Sequence, residues 1–330
     1  LTSVHAFAND TSRGIFILIL FLVLTGFSFI IFIIKSEDSN AKLNLLFINK
    51  TTALMFNNII MLTALLTILL GTIYPIIIEV LTNKRMSVGA PYFNSTALPI
   101  MLPGFLLMSI APALSWQNNK LHRFKNYIYV FLLMSIITVI ISYFTDINLW
   151  GFLGIVLSLI IISSSALSMY FNYKKFKLKK FFHNNNSLIA HIGVGIMIMG
   201  ITCSSVFQST YNLTFSLQEK KIVGKYTFEF DNLDTLKKGN FEELLATFVI
   251  TENKFNTFKI KPSKRYYNVS KYITTEAAIY HDWLQDLYVV LGDINNEKLN
   301  IKIYTNPLVS LIWLGIIIMF ISGIVGVRKK

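Results

Sequence analysis

The sequence predicts a mainly α polytopic membrane protein of about seven transmembrane helices, with one small antiparallel β domain inserted before the last helix. Three observations carry this expectation. The 330 residues are 54% hydrophobic and only 14% charged, with a mean hydropathy of +0.57, a balance foreign to soluble globular domains. Seven apolar runs of 18 to 22 residues punctuate the chain, each about long enough to cross ~30 Å of hydrocarbon. Between the sixth and seventh runs, residues 209–307 change to short alternating segments separated by polar turns.

Gly14–Ile34 forms the first span and ends at Lys35; a polar linker with Lys42 and Lys50 follows. Ala53–Tyr74 is the second, with Asn57 and Asn58 near its start. Lys84 and Arg85 lead into S-V-G-A-P-Y-F-N (87–94), whose Gly, Pro and aromatics read as an ordered loop at the headgroup level. The third span, Leu98–Trp116, is interrupted by Pro99, Pro103, Gly104 and Pro112. Prolines inside a span survive only where protein or water satisfies the freed backbone groups, so this helix is expected to pack inside the bundle or line a cavity.

Tyr127–Phe144 and Leu149–Tyr170 are the fourth and fifth spans, joined by a short T-D-I-N turn. K-K-F-K-L-K-K (174–180), His183 and three asparagines precede the sixth, Ser187–Phe207. Strands are expected at Y-T-F-E-F (226–230), L-A-T-F-V-I (245–250), F-N-T-F-K-I-K (255–261) and L-N-I-K-I-Y (299–304). Leu308–Val327 is the seventh span, and R-K-K closes the chain. The expected division is a six-span bundle over 1–208, a β domain over 209–307, and the last helix with a basic tail over 308–330.

Charge sets the topology. With Leu1 outside, the inner segments hold Lys35, Lys42 and Lys50, then Lys120, Arg123 and Lys125, then the five lysines of 174–180 and finally Arg328–Lys330. The short outer segments hold only Arg13, Lys84 and Arg85. This bias places the β domain in the periplasm and the C-terminus in the cytoplasm. It also explains the net charge of +13 without nucleic acid, because the cations flank apolar spans. A bacterial cytoplasmic (inner) membrane is preferred to a mitochondrial inner membrane. The chain starts at Leu1 without a signal-peptide pattern, so either residues have been removed or this is the downstream part of a longer protein.

The single cysteine, Cys203, lies in an apolar span and excludes an internal disulfide framework or a multi-cysteine metal site. The carboxylates form no catalytic set, and no Ser/His/Asp pattern, phosphate-cradling loop or zinc-ligand spacing occurs. Of five histidines, His122 and His183 sit in basic loops and read as solvated, and His281 in A-I-Y-H-D-W-L reads as surface. His5 lies at the mouth of the first span. His191 is different: it sits roughly 6 Å into a charge-free span, where an ionisable group is costly unless it faces a partner, a cavity or a cofactor. A neutral imidazole bonded to a neighbouring helix satisfies that requirement, and so does an iron ligand. Gly193 and Gly195 beside it remove bulk, which suits close helix packing or a flat ligand. In the outer domain, K-I-K-P-S-K-R-Y-Y-N (259–268) sets four cations beside two tyrosines. It reads either as a solvated edge strand guarded by lysines or as a dock in which Arg265 pairs an acidic group.

Several ordered stretches resemble the C-terminal half of the cytochrome c maturation haem lyase family, CcmF. They are T-S-V-H-A-F-A-N-D-T-S-R-G (2–14), L-G-T-I-Y-P (70–75), V-G-A-P-Y-F-N (88–94) and A-H-I-G-V (190–194). In the outer domain they are K-R-Y-Y-N (264–268), T-T-E-A-A-I (274–279) and D-L-Y-V-V-L-G (286–292). The resemblance implies a subunit, active as part of a haem lyase (holocytochrome c synthase) complex, that binds haem. It would attach haem through thioethers to the C-x-x-C-H motif of apocytochrome c at the outer face. It implies His5 as an axial ligand of the delivered haem and His191 as one ligand of a resident b-type haem, with the second ligand of each pair upstream. Lys264 and Arg265 would then meet haem propionates or an acidic partner patch. Implied partners are a haem chaperone, thiol-reducing and apocytochrome-holding maturation subunits, apocytochrome c, and an upstream half carrying a tryptophan-rich segment. The rival expectations are a non-catalytic assembly scaffold and a secondary transporter, the latter prompted by the proline-interrupted third span.

Overall fold

The computed structural model describes residues 11–35, 49–82, 88–116, 124–173, 181–182, 184–252, 256–269, 271, 273–295 and 298–327. The chain divides into two compact units, Leu1–Leu107 with Leu114–Leu121, and Met108–Ala113 with His122–Lys330.

The first unit contains α1 (Thr11–Lys35), α2 (Lys50–Thr82) and most of α3 (Ala90–Ile110). Asn49 caps α2 by accepting from the Thr52 amide at 2.8 Å, the N-cap use of a short polar side chain. Gly71 of α2 is where the Tyr92 ring of α3 lies; a Cβ there would collide with that ring. The Tyr92 hydroxyl then donates to the Thr67 carbonyl at 3.1 Å. α3 begins at Ala90, eight residues before the expected Leu98, so P-Y-F-N is helix and not loop. Pro91 falls in its first turn, where a missing N–H leaves no bond unmade. Pro99 and Pro103 lie within the continuous helix, and only Pro112 sits where it gives way to the 3-10 turn Ala111–Ala113. α2 likewise continues through Pro75 to Thr82.

In the second unit are α4 (Phe124–Phe144), α5 (Leu149–Tyr173), α6 (Asn186–Val206), the β domain and α7 (Val309–Val327). α6 packs on both α5 and α7 through glycines. A Cβ on Gly193 would lie 2.8 Å from the Gly315 carbonyl of α7, and one on Gly200 would lie 2.7 Å from the Ile312 amide. On its other side a Cβ on Gly195 would meet the Ser158 carbonyl of α5 at 3.1 Å. Such close backbone approach is how helices gain contact when lipid supplies no hydrophobic drive between them. Ser322 of α7 donates to the Asn186 carbonyl at the start of α6, at 2.5 Å. Among the described residues, six helices are long and apolar enough to cross a membrane, and α1 adds an apolar stretch over Ile19–Lys35.

Among the described residues the β domain is a sandwich of ten strands: β1 (Ser209–Phe215), β2 (Lys220–Val223), β3 (Tyr226–Lys238), β4 (Phe241–Glu252), β5 (Asn256–Ile260), β6 (Ser263–Tyr267), β7 (Ile273–Glu276), β8 (Ala278–Tyr280), β9 (Gln285–Asn295) and β10 (Lys298–Pro307). One antiparallel sheet is ordered β1-β10-β9-β8 and the other β2-β3-β4-β6-β7, with β5 also paired to β4. Period-2 alternation turns Phe228 and Phe230 of β3, Ala246, Phe248 and Ile250 of β4, and Ile301 and Ile303 of β10 into a shared core. The hairpins β2–β3 and β3–β4 turn on Gly224 and Gly239, both at positive φ, which only glycine adopts without strain.

Candidate functional site

His191 lies in the second turn of α6, after a start that carries no acidic residue. Its ring is partly exposed, while Nδ1 is shielded from solvent. Gly195, one turn further on, is taken up by close approach to α5, and Gly193 by close approach to α7. Of the two uses open to these glycines, both positions serve helix packing. They hold the backbone that carries His191 between two neighbours. Cys203 is buried further along the same helix. His5, His122 and His183 lie outside the described residues.

Lys264 and Arg265 sit on β6, which lies between β4 and β7 and is therefore not an edge strand. Arg265 faces Glu243 across the β4–β6 ladder, and its Nε donates to Glu243 Oε1 at 2.9 Å. Its Nη1 lies 3.4 Å from Glu276, and the guanidinium stands 5.1 Å over the Phe241 ring. Glu243 is almost fully buried and also accepts from Ser263 at 2.9 Å and Lys238 at 3.1 Å. Burial pushes this carboxyl up, but hydrogen bonds from Arg265, Ser263 and Lys238 outweigh it and hold the pKa at about 2. The same pairing raises the Arg265 pKa. The guanidinium expected to dock an external acid is thus engaged by two carboxylates of its own domain. Lys264 instead meets Asp293, which is 85% exposed, at 2.7 Å. The lysine holds that carboxyl below its usual range.

A third arrangement was not singled out by sequence reasoning. Where the β8–β9 loop overhangs the start of α7, a cleft encloses about 360 Å³. His281, Asp282, Trp283 and Asp286 form its upper wall, and Trp313, Leu314 and Ile317 of α7 form the lower one. His281 Nδ1 lies 3.0 Å from Asp286 Oδ2. A carboxylate only accepts, so Nδ1 carries the hydrogen of this contact. The loop is tied to the helix: the Leu308 amide donates to the Leu284 carbonyl at 2.9 Å, and the Ser310 hydroxyl to the Trp283 carbonyl at 2.5 Å. The available signal was H-D-W-L with Asp286 four residues on and a tryptophan early in the last span. Among the described residues, no group of three or more His, Cys, Asp or Glu side chains is placed to hold a metal ion.

Comparison with known proteins follows from this architecture. Residues 206–307 match the family model described as the CcmF C-terminal beta-sandwich. The chain is 31% identical, over its whole length, to the cytochrome c-type biogenesis protein CycK of Rhizobium meliloti, of which it covers 51%. It is 29% identical over 98% of its length to CcmF of Pseudomonas aeruginosa, covering 50% of that protein. The chain therefore spans about half the length of the curated relatives it matches. A solved structure, "Cytochrome c Heme Lyase CcmF", shares the fold at a TM-score of 0.65 and 18% identity, over 85% of this chain and 46% of that one. The apolar helices and the bacterial relatives together describe a bacterial inner-membrane protein.

Proposed function

We propose that this chain, similar along its length to about half of the curated CcmF and CycK proteins and carrying the CcmF C-terminal beta-sandwich, works in cytochrome c biogenesis as the haem-handling part of a haem lyase. Its substrates in this reading are haem and the reduced C-x-x-C-H thiols of apocytochrome c, joined as thioethers at the outer face of the membrane. The observation that carries the reading is His191: one ionisable side chain in a charge-free span, on a helix fixed between two others by glycine contacts.

Imidazole is a common iron ligand, so His191 would supply one ligand to the iron of a resident b-type haem. When bound, that haem supplies an electron store that keeps the delivered iron reduced. His5 supplies one axial ligand of the delivered haem. The second ligand of each pair belongs to the part of the family's length that this chain does not span. Lys264 offers the cation able to exchange Asp293 for a haem propionate or an acidic partner patch, since that carboxylate is largely in water. Arg265 holds β6 against β4 through Glu243.

The sandwich faces the periplasm and the C-terminus the cytoplasm in this reading, as the lysine-rich inner segments dictate. Its partners are a haem chaperone, thiol-reducing and apocytochrome-holding subunits, apocytochrome c and the tryptophan-rich half. The rival secondary transporter loses its motive, because α3 is one helix through Pro99 and Pro103 and not a broken pair. The test is the visible spectrum of the purified native complex. His191→Ala is expected to remove the b-type band, and an undiminished band would overturn the ligand assignment.

A further inference from the structure

The cleft under the β8–β9 loop has a polar upper wall and an apolar lower wall, and it stands where a water-facing domain meets a spanning helix. Trp283 is 80% exposed and Trp313 62% exposed. On a sandwich bathed only in water, an indole displayed at a loop tip is costly. Beside the first turns of a spanning helix, it sits at the depth where tryptophans concentrate in membranes. Ile317 is eight residues beyond the start of α7, so the apolar wall descends roughly 12 Å into the bilayer.

The charges at the mouth are unbalanced. Lys225 lies against Glu252 at 2.5 Å and Asp282 at 3.4 Å, and Asp286 faces His281. Two carboxylates thus flank one lysine and a third faces the imidazole, so carboxylates outnumber lysines at the mouth. Its acceptors are the Asp282 and Asp286 carboxylates. A primary ammonium brings three N–H donors to such a set, and a quaternary ammonium brings none.

We propose that this cleft binds phosphatidylethanolamine. The ammonium lies among His281, Asp282 and Asp286, and an acyl chain runs down Trp313, Leu314 and Ile317. Because the loop is bonded to the helix at Leu284 and Trp283, the bound lipid fixes the sandwich at a set height over the membrane. This inference rests on the spanning character of α7 and is independent of any role in cytochrome biogenesis.

The test uses the native complex, stripped of lipid in detergent and titrated with vesicles of brominated phosphatidylethanolamine, phosphatidylcholine or phosphatidylglycerol, with tryptophan quenching as the readout. The expected result is a preference for phosphatidylethanolamine on the order of tenfold over each of the others. Trp283→Phe with Trp313→Phe should remove the saturable quenching. Asp282→Asn with Asp286→Asn should abolish the preference while the haem spectrum and thermal melt stay unchanged. Equal affinity for the three lipids in the native protein would overturn the proposal. So would preference retained by the asparagine variant, or crosslinking of another protein segment into the cleft at Trp313. Absence of a b-type band from the native complex, with the lipid preference retained, would defeat the haem reading alone.

Discussion

Glu243 is the most committed side chain in the sandwich: buried on the outer face of its sheet, it accepts from Arg265, Ser263 and Lys238 at once. Its folded pKa of about 2 lies below the ordinary 4.5. The stability it contributes is therefore fully present above about pH 4.5 and is lost as pH falls from there towards 2. Acid unfolding followed by circular dichroism should show this dependence, and Glu243→Gln should flatten it. The same variant is expected to cost about 3 kcal/mol at neutral pH, because it leaves Arg265 without its main partner. Arg265→Lys should recover only part of that stability, since a lysine cannot bridge Glu243 and Glu276 with a planar fork. The cluster was illegible in sequence. F-E-E-L-L gives no sign of which glutamate is buried, and the partner strand arrives some twenty residues later.

At the scale of elements, α6 is held by what its glycines lack. Gly193 and Gly315 face each other so closely that a Cβ on either would meet the other's carbonyl. Gly315→Val is expected to destabilise the α6–α7 pair by about 1–3 kcal/mol, as overpacking does, and to lower the thermal melt of the purified protein. Gly323→Ala, with open space around it, should leave the melt unchanged. An equal loss for both variants would mean that the close approach at Gly315 is not responsible. Proline was a weaker guide than glycine. Pro99 and Pro103 promised an interruption, yet both are accommodated in a continuous helix, whereas Pro91 helps to start α3 ahead of the expected boundary. Helix edges blur in sequence because an apolar loop and an apolar first turn have the same composition.

For the whole molecule, the lysine bias makes a topological prediction that needs no structure. A periplasm-dependent reporter such as alkaline phosphatase should be active when inserted at the Gly239 turn and inactive when fused after Lys330. The opposite pattern would reverse the placement of every segment, including the proposed depths of His5 and His191. The sandwich should tolerate the insertion, because Gly239 sits in a turn with nothing near its missing Cβ.

The sequence by itself determined the membrane-spanning character, the order of helices around a β insertion, and the oddity of His191. All three rest on local hydrophobicity and period, and the ordered family-like stretches added the likeness to CcmF. Only the tertiary structure decided that β6 is an inner strand with Arg265 already paired. It alone brought His281, Asp286 and Trp313 around one cleft. Those outcomes depend on which distant segments meet, and the buried carboxylate and the indoles carry no periodic trace of their partners.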